Sequence, residues 1–167
     1  THIYDLVRYF GGDVTEVSAY GSQTIVTDEI DFADTQAANV RHEGGVVSQV
    51  ASTCTLEDDR QSDLVLIGEG FRLVLDFTER TVTGTLDGVD VYYREPDRDY
   101  GAEQLEYFDE YTFHRRNDYH SEVRTFFDAV RADDPSLVRP DYADAIGTHE
   151  LTRAVNESLD TGQPVSL

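Results

Sequence analysis

Apolar residues recur at helical spacing near both ends of the chain and at alternate positions through its middle. Ile3, Leu6, Val7 and Phe10 stand at i, i+3, i+4 and i+7, so a helix with one apolar stripe is predicted from His2. Thr1 serves as an ordinary N-cap, and Gly11-Gly12 stops the run. Val14 to Tyr20 reads as a strand, and the acidic stretch Asp28 to Asp34 as a loop. The period then becomes two. Ala38, Val40 and His42 alternate with Asn39 and Arg41, Glu43-Gly44-Gly45 turns the chain, and Val46 to Cys54 returns. A second hairpin joins Leu64–Ile67 to Phe71–Phe77 around Gly68-Glu69-Gly70. A third joins Thr81–Leu86 to Val89–Arg94 around Asp87-Gly88, a pair suited to a type I′ turn because both central residues need positive φ.

Three successive hairpins predict a mainly antiparallel sheet with one buried face, which carries Phe71, Leu73, Leu75 and Phe77. The other face carries Val65, Ile67, Val74, Thr81, Thr83 and Thr85. Two readings of it stay open: a surface for another subunit, or a Thr-rich solvated face. Residues 95–117 are charged and aromatic without a period, as in a long covering or functional loop. Asp118 is the candidate N-cap of a helix with Tyr119, Val123, Phe126, Phe127 and Val130 on its apolar side, ended by Asp133-Asp134-Pro135. Pro140-Asp141 opens a last helix with Tyr142, Ile146, Leu151, Ala154 and Val155 along it, where Ala143 and Gly147 permit close approach of a neighbour. Gly162 and Pro164 end it, and residues 165–167 are free to add a short strand. The fold class expected is α+β, an open-faced, mainly antiparallel sheet with helices packed on one face.

Composition narrows the function. At 167 residues one core is expected. The net charge of -21, with 34 acidic residues against 13 Arg and no Lys, repels nucleic acid and anionic membranes, so neither is expected as a partner. Ten Tyr and eight Phe argue for a folded chain despite the charge. Self-repulsion of this size is best tolerated where salt screens it, with a Debye length of about 3 Å at 1 M, and a salt-loving cytoplasm is the expected setting. The single Cys54, placed mid-strand as a buried small side chain, excludes an internal disulfide. No apolar run of bilayer length and no signal-peptide pattern appears, so a cytoplasmic location is expected.

Stand-alone catalytic signatures are absent: no G-x-G-x-x-G, P-loop, G-x-S-x-G or H-E-x-x-H occurs. His42 and His149 lack a second His one turn away and read as packing or surface residues, and His114 and His120 flank Asp118 without the partners a metal needs. No metal is expected. Arg115-Arg116 offer guanidinium forks that suit a substrate carboxylate or phosphate, or local Asp and Glu. His2 and Asp5, three apart on the first helix, project from nearly the same side. A neutral imidazole there is able to take or give a proton on a hydroxyl carbon, with the carboxylate to orient it or hold a second hydroxyl. The chain opens already in helical pattern and without Met, and it is expected to be the back half of a longer protein.

Two stretches together resemble a family. The opening T-H-I-Y-D-L-V-R-Y-F-G-G-D-V-T-E-V-S-A is similar to the segment of the glucose–fructose oxidoreductase/inositol dehydrogenase (Gfo/Idh/MocA) family in which an H-x-x-D helix leads through a Gly turn into a V-x-x-V-x-A strand. The closing Y-H-S-E-V-R-T-F-F-D-A-V and L-T-R-A-V-N-E-S-L-D-T-G-Q-P-V-S-L resemble that family's end, and E-G-G-V and G-E-G-F fit its turns. The resemblance implies that residues 1–167 are a C-terminal substrate-binding and oligomerisation domain. An N-terminal Rossmann domain that binds NAD or NADP would lie outside this chain, and the chain alone would be inactive. It implies His2 as the catalytic His, working in many members with a Lys of an E-K-P motif and an Asp four residues before the His, both outside this chain. Asp5 matches the Asp of H-x-x-D, and Arg116 is a weaker substrate-binding candidate. The implied reaction is hydride transfer to or from a sugar or polyol, in a homo-oligomer formed through the open sheet face. The alternative is a noncatalytic dimerisation or small-ligand-binding module.

Overall fold

A computed structural model describes residues 1–25, 28, 30–54, 61–95, 118–138 and 140–167, with only the backbone described over 118–122. The elements are α1 (His2–Gly11), β1 (Val14–Ser22), β2 (Thr35–His42), β3 (Val47–Thr53), β4 (Asp63–Gly68), β5 (Phe71–Asp76), β6 (Thr81–Leu86), β7 (Val89–Arg94), α2 (Asp118–Ala132), a 3-10 turn (Pro135–Leu137), α3 (Tyr142–Thr161) and β8 (Val165–Ser166). The fold is α+β, as the patterning predicts. Among the described residues, however, the strands are not hydrogen-bonded into a single sheet. They pair as two four-stranded antiparallel sheets, β3-β2-β1-β8 and β4-β5-β6-β7. The chain likewise divides into two compact units, Thr1–Leu56 with Pro135–Leu167, and Glu57–Asp134. Alternation assigns a residue to a face but says nothing of which hairpin its strand will join.

In the first unit α1 and α3 cover one face of the sheet. Val17 and Ala19 of β1, Ala38 and Val40 of β2 and Val50 of β3 meet Tyr4 and Val7 of α1 and Leu151, Ala154 and Val155 of α3. The stripe on α1 is rotated from the predicted one: Tyr4 is 3% exposed, whereas Phe10 is 43% exposed. Tyr4 and Val7 stand one turn apart with Ile3 beside them, and a tyrosine ring supplies more apolar area than its hydroxyl suggests. On α3 the buried positions are Thr148, Leu151, Ala154, Val155 and Ser158, while Tyr142 and Ile146 are exposed. Ser158 earns its burial at the sheet edge. Strand β8 pairs only with Glu16 and Val17, and the Ala19 N–H beyond it donates to Ser158 Oγ at 2.9 Å, which in turn donates to Gln163 O at 2.7 Å. The N-cap of α3 is Asp141, whose side chain accepts from Asp144 N at 2.8 Å.

Of two residues singled out by the sequence, His42 is a packing residue, as one of its two readings has it, and Cys54 is not buried. His42 is buried, with Nδ1 2.8 Å from Gly12 O and Nε2 2.9 Å from Ser48 Oγ. The Nδ1–H tautomer satisfies both, with the Ser48 hydroxyl donating to Nε2. A Cβ on Gly11 would stand 2.4 Å from the His42 ring, so this glycine makes room for the histidine. Cys54, expected mid-strand and buried, follows the end of β3 and is exposed, its N–H donating to Asp34 O at 3.0 Å. The loop it meets is anchored by the buried Asp34, which accepts from Thr24 N and Ile25 N at 2.9 and 2.7 Å.

The second unit holds the other sheet and α2. Its register brings Leu64, Leu75, Val82 and Tyr93 into one cross-strand row, and Leu66, Leu73, Gly84 and Val91 into the next, so one face is apolar throughout. Val65, Val74, Thr83 and Tyr92 form a row on the opposite face, as the sequence predicts. The turn between β6 and β7 has positive φ at both Asp87 and Gly88, as a type I′ turn requires. The predicted burial is not matched: Phe71, Leu73 and Leu75 are only partly buried, and Val123, Phe126, Phe127 and Val130 of α2 are exposed.

Candidate functional site

The candidate site is built on α1 within the first unit. A cleft of about 800 Å3 lies along one side of this helix, lined by Asp5, Arg8 and Tyr9, by Asp13 just beyond, and by Asp141 and Asp144 at the start of α3. His2 is exposed and is not among the lining residues. It precedes Asp5 by three residues and Tyr9 by seven, so it lies on the same side of the helix, about 4.5 Å along the axis from Asp5. Among the described residues no hydrogen bond or ion pair joins His2 to Asp5.

Asp5 is instead tied to α3. Thr148 Oγ1 donates to Asp5 Oδ1 at 2.7 Å and accepts from Arg8 Nη1 at 2.9 Å. The same Nη1 reaches Asp144 O at 2.9 Å, and Nη2 forms an ion pair with Asp144 Oδ1 at 3.1 Å. One guanidinium thus holds the backbone and carboxylate of Asp144 and the Thr148 hydroxyl, and Thr148 carries the link on to Asp5. It fits against α3 because residue 147 is glycine, whose Cβ would stand 2.7 Å from Arg8 Nη2. The small residue noted in the sequence does mark a close approach, and the group that approaches is a charged side chain.

Chemically, the cleft presents three carboxylates besides Asp5 and a cation already engaged. Carboxylates accept hydrogen bonds from hydroxyls and repel phosphates, so the surface suits a neutral polyhydroxyl compound better than an anion. Among the described residues no group of three His, Cys, Asp or Glu is arranged to hold a metal ion. No helix among them is long and apolar enough to cross a membrane. Arg115, Arg116 and His114 lie outside the described residues, as does the side chain of His120; His149 is exposed, as expected of a surface residue. Arg8, Asp144 and Thr148 were not marked by the sequence, because nothing in a helical period shows that a polar residue meets another 140 positions away.

Residues 1–74 match the family described as the GFO/IDH/MocA C-terminal domain. An uncharacterized protein of Schizosaccharomyces pombe is 28% identical over 179 residues, an alignment covering 95% of this chain and 40% of that protein. Among solved structures, levoglucosan dehydrogenase in complex with NADH and levoglucosan superposes with a TM-score of 0.74 at 17% identity, over 99% of this chain and 48% of its own. An oxidoreductase from Agrobacterium radiobacter, in complex with NAD+, L-tartaric acid and magnesium, gives 0.73 at 17% identity, over 99% and 46%. The chain therefore spans less than half the length of the proteins it matches, and shares its fold with that part of these oxidoreductases.

Proposed function

We propose that this chain is the C-terminal, substrate-binding and oligomerisation domain of a Gfo/Idh/MocA-type oxidoreductase that acts on a sugar or polyol with NAD or NADP. The observation that carries this reading is the match of residues 1–74, which begins on the helix bearing His2 and Asp5. The fold shared with oxidoreductases solved in complex with NAD+ or NADH supports it. The chain's own residues do not fit the dinucleotide: there is no G-x-G-x-x-G, and the acidic cleft disfavours a pyrophosphate. A nicotinamide cofactor would be held by residues outside this chain, and the chain by itself would be inactive. His2, exposed on the first turn of α1, would take or give the proton at the reacting oxygen of a secondary alcohol. Asp5 shapes the site by holding the helix, and Arg116 remains a proposed substrate contact. The homo-oligomer would form through the open sheet face, in a salt-loving cytoplasm.

The test uses the full-length protein with a panel of aldoses and polyols and both nicotinamides, alongside its mass by light scattering. Oxidation of a polyol or aldose is expected, with His2→Ala lowering kcat by about 100-fold or more and leaving cofactor affinity within about threefold. Unchanged turnover in that variant would remove His2 from the chemistry.

A further inference from the structure

The hydrogen-bonded chain between α1 and α3 has a direction, with Thr148 at its middle. Thr148 has one hydroxyl proton, and the 2.7 Å contact to Asp5 uses it; the Arg8 contact at 2.9 Å then falls on a lone pair of the same oxygen. Order along the chain is therefore fixed as Arg8 to Thr148 to Asp5, with Arg8 held in turn by the backbone and carboxylate of Asp144. Thr148 is 6% exposed, so water does not readily replace it.

We propose that Thr148 is a positioning residue for His2, fixing the first turn of α1 on α3 through Asp5. This rests on the oxidoreductase reading for its catalytic consequence only. Three features support it. The apolar contacts of Tyr4 and Val7 set the distance between helix and core but are non-directional, and the direct Arg8–Asp144 contacts hold the last turn of α1 rather than the first. The N-cap Thr1 makes no side-chain hydrogen bond, so the first turn is closed by the Asp5 N–H to Thr1 O bond at 3.1 Å and has no side-chain tie of its own at the cap. Asp5 is in that turn, and a rigid helix passes any displacement of Asp5 directly to His2, 300° and about 4.5 Å away. Misplacement of a reacting group by about 1 Å is enough to lower turnover by about 100-fold.

The experiment compares Thr148→Val, which keeps the shape and removes the hydroxyl, with Thr148→Ser, which keeps the hydroxyl, in the full-length protein. Two readouts are made: hydrogen exchange by mass spectrometry of peptides covering residues 1–11, and kcat and KM for whichever polyol or aldose of the panel the full-length protein oxidises. The valine variant is expected to exchange about tenfold faster over α1 and to lose about 10-fold to 100-fold in kcat with KM changed less than threefold. The serine variant is expected to restore both to within about threefold. Faster exchange with serine rescue in a protein that oxidises no sugar supports the positioning of α1 and sinks only the oxidoreductase reading. Exchange and kcat unchanged in Thr148→Val, or a serine variant as impaired as the valine one, overturns the proposal.

Discussion

The two units of this chain are stabilised in different ways. The first has a core of ten buried residues between two helices and a sheet, closed by polar groups that each have a defined partner: Ser158 at the sheet edge, His42 under Gly11, Thr148 between the helices. In the second, Ala129 is the one buried residue among those described, although its sheet carries an unbroken apolar face. Acidity does not separate them: residues 57–134 hold 21 carboxylates against nine Arg, and the rest of the chain 13 against four. What differs is the cover. A protein surface can carry scattered apolar groups at no special cost, but a whole face of Leu, Val and Phe gains its stability only when something lies against it.

The sharpest way to break this comparison is to delete equal side chains in the two units. Leu151→Ala removes a fully buried side chain from between α3 and the sheet and is expected to cost about 3–5 kcal/mol. Leu73→Ala, on the half-buried apolar face, is expected to cost about 1–2 kcal/mol. Urea unfolding of both variants decides it, and equal losses would show that the second sheet is as well covered as the first.

The same contrast explains what the sequence disclosed. Strands and hairpins were legible because period two and Gly-containing turns are local signals: Asp87-Gly88 and Glu43-Gly44-Gly45 turn the chain where expected. The partition into two sheets was not, since Cys54 and Leu64 offer no local clue that their strands part company. Helix faces were half legible. Leu151, Ala154 and Val155 were found, but the buried stripe of α3 begins at Thr148 and ends near Ser158, and a polar residue reads as exposed until its partner is known. The stripe Ile3, Leu6, Val7 and Phe10 likewise leaves out Tyr4, a ring with a polar end that the core accepts. At the candidate site, the His2–Asp5 pair was visible as a spacing; that Asp5 answers to Thr148 rather than to His2 was not.

A smaller effect follows from charge. Both units carry the acidic excess, so KCl raised from low to molar concentration is expected to increase the melting temperature of the whole chain by several degrees as self-repulsion is screened. A single transition that does not move would argue against the salt-loving setting, and a transition in only one half would show that the two units carry unequal repulsion.

The smallest expected effect concerns the one hydroxyl in the first unit's core that breaks its rule of paired polar groups. Tyr4 Oη is buried with no hydrogen-bond partner among the described residues, and burial raises its pKa above the usual phenol value of 10.0. The folded state therefore keeps this proton at a pH where the unfolded chain has lost it. Any contribution from Tyr4 to stability is constant below the unfolded pKa and declines as pH rises from there through the folded pKa. Tyr4→Phe removes a buried unsatisfied donor while keeping the ring, so it is expected to change stability at neutral pH by less than about 1 kcal/mol, in the stabilising direction. It is also expected to flatten the loss of stability above pH 10. Denaturant midpoints of the two proteins at pH 7 and above pH 10 test both. A phenylalanine variant destabilised at neutral pH by more than about 1 kcal/mol would mean that the hydroxyl has a partner after all.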